Sequence, residues 1–162
     1  MGRQMTVHVL FVCLGNICRS PLAEGAFRAE AARLGLDVEV DSAGTGDWHV
    51  GHPPDRRAQA AALRNGVDIS DLRARQVRPD DFERFDHVVA LDSNNLADLL
   101  ALRPRDARAR VSLLLDAVPG REGESVADPY YGDDGDFDIA WADVSAGARA
   151  LAREIAAIQS SG

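Results

Sequence analysis

The segment Cys13-Leu14-Gly15-Asn16-Ile17-Cys18-Arg19-Ser20-Pro21 holds the residues whose types and spacing could do chemistry. A cysteine six positions before an arginine is common by chance, so the setting must give the pair its meaning. An apolar, β-branched run from Val7 to Val12 ends at the cysteine, and Ser20-Pro21 supplies a helix N-cap and a first-turn proline just after the arginine. Between them, Gly15 and Asn16 tolerate backbone angles that other residues resist. Such a loop can curl so that successive backbone N–H groups point inward as an anion nest. A helix N-terminus adds positive potential at the same spot, and Arg19 can close the ring with a two-pronged grip on phosphate oxygens. The expected phosphate-binding residues are therefore Leu14, Gly15, Asn16, Ile17, Cys18, Arg19 and Ser20.

The same surroundings activate a thiol. Cysteines amid N–H dipoles, a helix N-terminus and a guanidinium ionise at roughly 3.5–7.5 instead of about 8.5. Cys13 is thus expected to act as a thiolate without a histidine base and to attack phosphorus in line, forming a phosphocysteine. That route also needs an acid for the leaving oxygen and then a base for water. Asp128, in Asp128-Pro129-Tyr130-Tyr131, follows the last expected strand and so belongs at the carboxyl edge of the sheet that the cysteine loop shares. Cys13, Arg19 and Asp128 are the expected catalytic residues. Trp48, Tyr130 and Tyr131, with Leu14 and Ile17, are expected to line a slot deep enough for phosphotyrosine and too deep for phosphoserine.

The elements that must position these residues alternate. Strands are expected at Val7–Val12, Val38–Val40, His87–Leu91 and Val111–Leu115. Helices are expected from Ser20-Pro21 to Leu34 (stopped by Gly35), from Asp55 to Arg64 (closed by Asn65-Gly66) and from Asn94 to Leu102. The last helix is the clearest: Phe137, Trp141, Val144, Ala148, Leu151, Ile155 and Ile158 form one apolar stripe. On that pattern Phe137 and Trp141 are core residues, not a ligand box. Alternating strands and helices imply right-handed crossovers, hence an α/β three-layer sandwich: a four-stranded parallel sheet flanked by about five helices. A single domain over residues 1–162 is expected.

Composition narrows the function. The 162 residues carry a formal charge of −8, which disfavours nucleic acid and anionic membrane as partners. All 18 basic residues are arginine, so Schiff-base lysines and the lysine of a nucleotide-binding P-loop are ruled out. No apolar run is long enough for a membrane span and no signal-peptide pattern is present, so the cytoplasm is the expected compartment, with export without a signal peptide left open. Met1 to Thr6 matches a loose myristoylation template but leads straight into a strand, so lipidation is not expected. No cofactor and no metal are expected, since two cysteines cannot make a zinc site. The acidic run Asp133-Asp134-Gly135-Asp136 fails the calcium-loop pattern at Ile139 and Ser145. Cys18 lies close enough in the curled loop to trap a sulfenic acid on Cys13 as a disulfide, and serves equally well as a small apolar filler.

The run Val12 to Pro21 resembles the signature of the low-molecular-weight protein tyrosine phosphatases. The likeness continues through Asp41-Ser42-Ala43-Gly44 and Ala74-Arg75-Gln76 to Asp128-Pro129-Tyr130-Tyr131. It implies that family's fold, metal-free hydrolysis of phosphate monoesters, a phosphotyrosine protein or peptide as substrate, and inhibition by phosphate or vanadate. It also implies that Asn16, Ser20 and Ser42 support the loop by hydrogen bonds. A histidine often joins that network before the Ala-Arg-Gln segment. Here Leu72 stands in its place, which puts the support of Asn16 in question. Two relatives of the fold are rivals. Arginine-phosphate phosphatases usually carry threonine where Ile17 stands and lack the paired tyrosines, and arsenate reductases need more cysteines than Cys13 and Cys18 for their thiol relay.

Overall fold

The computed structural model describes residues 5–161. Residues 1–4, the first part of the segment matching the myristoylation template, lie outside them. The strands are β1 (Val7–Cys13), β2 (Val38–Gly44), β3 (His87–Ala90) and β4 (Arg110–Leu113). They form one parallel sheet in the order β2-β1-β3-β4. The helices are α1 (Arg19–Leu34), α2 (Arg56–Arg64), α3 (Asp81–Arg84), α4 (Ser93–Leu102) and α5 (Asp134–Ser161).

The alternation of side chains along β1 builds the three layers. Val9, Phe11 and Cys13 join the core beneath α1, α2 and α5, while Leu10 and Val12 join Phe82 of α3, Phe85 just after it and Leu99 of α4 on the other face. A strand covered on both sides must be apolar throughout, and Val9 to Val12 are fully buried. The α5 stripe packs as its periodicity predicts from Phe137 to Ile155, with Trp141 half-buried; Ile158, its last member, is exposed. Among the described residues, no helix is long and apolar enough to cross a membrane.

Strand β3 ends at Ala90 and α4 begins at Ser93, each one residue from the sequence reading, and four larger details differ. Strand β2 runs on to Gly44, because its pairing with β1 continues through Asp41–Leu10 to Gly44–Cys13. Strand β4 stops at Leu113, and Leu114–Ala117 form a 3₁₀ turn closed by Asp116, whose carboxylate accepts the Leu113 N–H. The short helix α3 carries no periodic signal of its own. Helix α1 begins at Arg19, with Cys18 at the cap position and no side-chain cap. Ser20 is therefore inside the first turn with Pro21 and does not cap the helix. Its hydroxyl is used elsewhere.

Chain order places the site. From β1 the chain crosses to β2 on one side, then returns to β3 on the other. The carboxyl ends of β1 and β3 therefore border the crevice where open α/β sheets bind ligands. The loop leaving β1 carries Cys13 to Cys18.

Candidate active site

Four carbonyls from Cys13 to Cys18 tie the loop between β1 and α1 to the backbone around it. Cys13 O accepts from Thr45 N at 2.9 Å and Leu14 O from Gly46 N at 2.9 Å. Ile17 O accepts from Asp55 N at 2.8 Å and Cys18 O from Leu22 N at 3.2 Å. A trans peptide points its N–H opposite its C=O, so the following amides face the inside of the curl. That is an anion nest at the N-terminus of α1. Close approach on the outer side requires glycine: a Cβ on Gly44 would lie 2.8 Å from Leu14 O.

Asn16 turns the loop. With φ of 57° it is the only non-glycine residue with positive φ among those described, a conformation that asparagine tolerates better than most. Its buried amide donates to Ser20 Oγ at 2.8 Å and Ser42 Oγ at 3.0 Å, and its Oδ1 accepts from Arg75 N at 3.0 Å. With Asn16 donating to it, Ser20 Oγ has its own proton available for the Cys13 sulfur, 3.0 Å away. Ser42 likewise passes its proton on to Glu24 Oε1 at 2.7 Å. Burial raises the Glu24 carboxyl above its ordinary range, partly offset by Ser42 and by Arg28, which ion-pairs with Oε2.

The Leu72 question is thereby answered in part. Asn16 has partners on both ends of its amide without a histidine, and Leu72 packs as an apolar residue on the core edge. The Ala74-Arg75-Gln76 segment supplies one of those partners. It is fixed by Gly44 N donating to Arg75 O and by the Arg75 guanidinium gripping Asp41 and the buried Asp81.

Arg19 is buried, and its Nη1 donates to Asp92 Oδ2 at 2.6 Å and Val126 O at 2.9 Å. Asp92 follows β3 and also caps α4 by accepting from Asn95 N. Nη1 is committed to these two partners, and Nη2 lies 3.7 Å from Asp128 Oδ2. Asp128 Oδ1 accepts the Tyr130 N–H at 3.1 Å, which fixes the carboxyl within its own turn.

A cavity of about 330 Å³ opens over these groups, lined by Cys13, Leu14, Gly15, Ile17, Cys18 and Arg19 below. Asp128, Trp48, His49, Tyr130 and Tyr131 form its upper walls. Every sequence-predicted pocket residue is present. Asn16, Ser20 and Ser42 do not line the cavity; their side chains bond to one another and support the loop. The aromatics differ in character. Trp48 packs its ring against Gly46, where a Cβ would meet it at 1.9 Å. Tyr130 is half-buried, whereas Tyr131 is 98% exposed and meets Tyr130 edge-on with ring centroids 5.0 Å apart. Cys18 is buried beside Cys13, and both are free thiols. Burial, then the charges of Asp55, Cys13 and Asp128, push the Cys18 thiol well above the ordinary thiol range.

Sequence reasoning missed Asp92, Glu24 and His49. Asp92 had a signal, an acid directly after a strand at the carboxyl edge. His49 adjoins Trp48 in one loop and meets Tyr130 edge-on, with ring centroids 6.4 Å apart. Glu24 had none, because it sits among the apolar residues of α1.

Comparison with known proteins fits this geometry. A family described as low molecular weight phosphotyrosine protein phosphatase matches residues 8–161. A low molecular weight protein-tyrosine-phosphatase of Streptomyces coelicolor is 51% identical over 134 residues, 79% of this chain and 80% of its own. The crystal structure of YfkJ from Bacillus subtilis superimposes with a TM-score of 0.88 at 39% identity, covering 95% of this chain and 97% of that one. The YwlE arginine phosphatase, solved as a mutant with a phosphorylated active site serine, is more distant in sequence, at 27% identity and a TM-score of 0.83 over 91% of this chain and 95% of its own. By its sequence over almost its whole length, the chain belongs to the low molecular weight phosphotyrosine protein phosphatase family.

Proposed function

We propose that this hydrolase removes phosphate from phosphotyrosine in proteins or peptides through a phosphocysteine on Cys13. The carrying observation is the loop from Cys13 to Arg19 at the N-terminus of α1, with four carbonyls bonded to the surrounding backbone, which leaves the amides that follow them for an anion beside the Cys13 sulfur. Three equatorial phosphate oxygens fit that nest and the Nε–Nη2 fork of Arg19, which stabilise charge as it spreads in the transition state. The Cys13 sulfur attacks phosphorus opposite the aryl oxygen. The S–P bond forms as the P–O bond breaks, and the phenolate takes a proton from Asp128. Since Tyr130 N–H occupies Oδ1, the proton is carried by Oδ2. Water then attacks the phosphocysteine, Asp128 accepts the water's proton, and the S–P bond breaks to return the thiolate and inorganic phosphate. No metal or cofactor enters this cycle, and phosphate or vanadate should compete for the nest.

Leu14, Ile17, Trp48, His49 and Tyr130 give the cavity walls that suit a flat ring. A phosphoserine side chain is too short to bring its phosphate to the sulfur past such walls. The apolar Ile17 and the paired tyrosines favour phosphotyrosine over phosphoarginine, and with Cys13 and Cys18 the only cysteines in the chain, arsenate reduction lacks its thiol relay. The test is turnover of phosphotyrosine, phosphoarginine and phosphoserine peptides side by side, with and without EDTA, together with Cys13→Ser. Phosphotyrosine should be hydrolysed fastest and EDTA should change nothing. The Cys13→Ser protein should bind phosphate without turnover. Faster hydrolysis of phosphoarginine would transfer the assignment to the arginine phosphatases, and sustained turnover by Cys13→Ser would rule out the covalent route.

A further inference from the structure

Few hydrogen bonds tie the loop that carries Asp128 to the rest of the fold, although Asp128 ion-pairs with Arg19 and Tyr130 packs against the core. Among the described residues, Val126 N is tied to Leu91 O before it and α5 begins at Asp134 after it. Inside the loop, Gly132 N donates to Pro129 O and Tyr130 N to Asp128 Oδ1, bonds that shape turns without fixing where the turns sit. Among the described residues, and beside the ion pair of Asp128 with Arg19 at 3.7 Å, the hydrogen bonds that join residues 127–132 to another part of the chain both come from one side chain. Arg57 Nη2 donates to Tyr130 O at 2.9 Å and Nη1 to Gly132 O at 3.1 Å.

Arg57 is itself fixed from the opposite side. Its Nε and Nη2 form a fork on Asp55 at 3.1 and 3.0 Å, and its guanidinium lies over the Phe137 ring of α5 at 4.5 Å. Asp55 caps α2 by accepting from Arg57 N at 2.8 Å, while its own N–H donates to Ile17 O at 2.8 Å. One continuous path thus leads from the phosphate loop at Ile17, through Asp55 and Arg57, to the carbonyls two and four residues beyond Asp128.

We propose that Arg57, held by Asp55, is the positioning residue of the general acid: it sets the height and reach of Asp128 over Cys13 by clamping the acid loop to the phosphate loop. Arg57 does not line the cavity and touches no reacting atom. The inference rests on the reading of Asp128 as the acid. Lysine cannot replace Arg57, because a single ammonium cannot hold a carboxylate fork and two carbonyls in one plane.

The experiment compares kcat/KM, which ends at phosphorylation of Cys13, for phosphotyrosine and for an aryl phosphate with an acidic phenol. Arg57→Met and Arg57→Lys should each lose about tenfold or more with phosphotyrosine, within the 10²–10⁴ that general acid help supplies, and about two- to threefold with the acidic phenol. Inhibition by inorganic phosphate should be little altered in both. The pair Arg57→Met with Asp128→Asn should be no slower on phosphotyrosine than Asp128→Asn alone, because a positioning residue has nothing left to position. Equal losses on both substrates, or losses that multiply in the pair, would overturn the inference. If Arg57→Met fails to fold, Arg57→Lys and Asp55→Asn, which keeps the helix cap, answer the same question. If Asp128→Asn itself shows no leaving-group dependence, the reading of the acid fails instead, so the two failures are distinguishable.

Discussion

Replacing Asn16 separates backbone strain from hydrogen bonding in the phosphate loop, because alanine and glycine fail there for different reasons. Both remove the donations to Ser20 and Ser42 and the acceptance from Arg75 N, three bonds in a buried setting. At about 1 kcal/mol each, their loss destabilises by about 3 kcal/mol, and more where Arg75 N–H is left buried without a partner. Alanine must also adopt φ of 57°, which costs about 1–2 kcal/mol that glycine avoids. Glycine returns part of that through its more flexible unfolded chain, at about 0.5–1 kcal/mol. Urea denaturation should therefore rank wild type above Asn16→Gly, and that above Asn16→Ala, with a gap of about 1 kcal/mol between the variants. Turnover should not follow that ranking. Both variants lose the bond that frees the Ser20 proton for the Cys13 sulfur, and kcat/KM should fall about tenfold or more in each, a loss of about 1.4 kcal/mol in the transition state. If Asn16→Gly kept full activity while Asn16→Ala lost it, backbone angle alone would shape the nest and the hydrogen-bond network would be irrelevant to the sulfur.

Asp128→Asn should lower kcat/KM for phosphotyrosine by about 10²–10³ and hurt an acidic phenol far less, measured by release of the phenol in the first turnover. Tyr130→Ala should raise KM for phosphotyrosine more than Tyr131→Ala, since Tyr130 is half-buried in the wall and Tyr131 is 98% exposed; a reversed order would place the ring of the substrate outside the cavity. After peroxide and then dithiothreitol, wild type should recover activity while Cys18→Ser stays largely dead, with slow disulfide formation because burial keeps the Cys18 thiol protonated; equal recovery would reduce Cys18 to packing. Glu24→Gln keeps an acceptor for Ser42 and should retain most activity. Because the folded Glu24 pKa is raised, its stabilising contribution is present at low pH and lost as pH rises through the folded value, so wild type should gain thermal stability on the variant as pH falls toward 4.5; a difference that does not change with pH would refute the raised pKa.

The reacting groups were legible because each is flagged by its own neighbours in the chain. Cys13 stands at the end of an apolar strand, Arg19 at a helix start and Asp128 in an Asp-Pro turn beside two tyrosines. What holds them in place was mostly hidden, because it reaches across the fold. Arg19 meets Asp92 from 73 positions away, Arg57 meets Tyr130 across the same span, and Asn16 meets Arg75 N from 59. No local pattern announces such pairings. Ser20 shows the ambiguity in a single residue. A serine before a proline reads as a cap, yet the chain turns helical one residue earlier and the hydroxyl serves the sulfur. The early end given to β2 has a similar origin. Asp41-Ser42-Ala43-Gly44 lacks an apolar alternation, and its strand geometry comes from pairing with β1 and from Gln76 bridging Gly44.

The leucine at position 72, where the family resemblance implies a histidine, becomes intelligible when the direction of each hydrogen bond is followed. The sulfur is served by a hydroxyl that donates, so every group behind it must donate forward and accept from behind. Asn16 meets that condition at Ser20 and, through Ser42, hands a proton outward to Glu24. A carboxylate is a natural end for such a chain, since it only accepts, but buried alone it would cost several kcal/mol. Arg28, one helical turn further along α1, meets Glu24 Oε2 from the surface and supplies the opposing charge. The remaining demand, an N–H for Asn16 Oδ1, is met by the Arg75 main chain, which does not titrate. With backbone and guanidinium in these places, the side chain at position 72 is left no polar task among the described contacts, and Leu72 contributes apolar packing at the edge of the core.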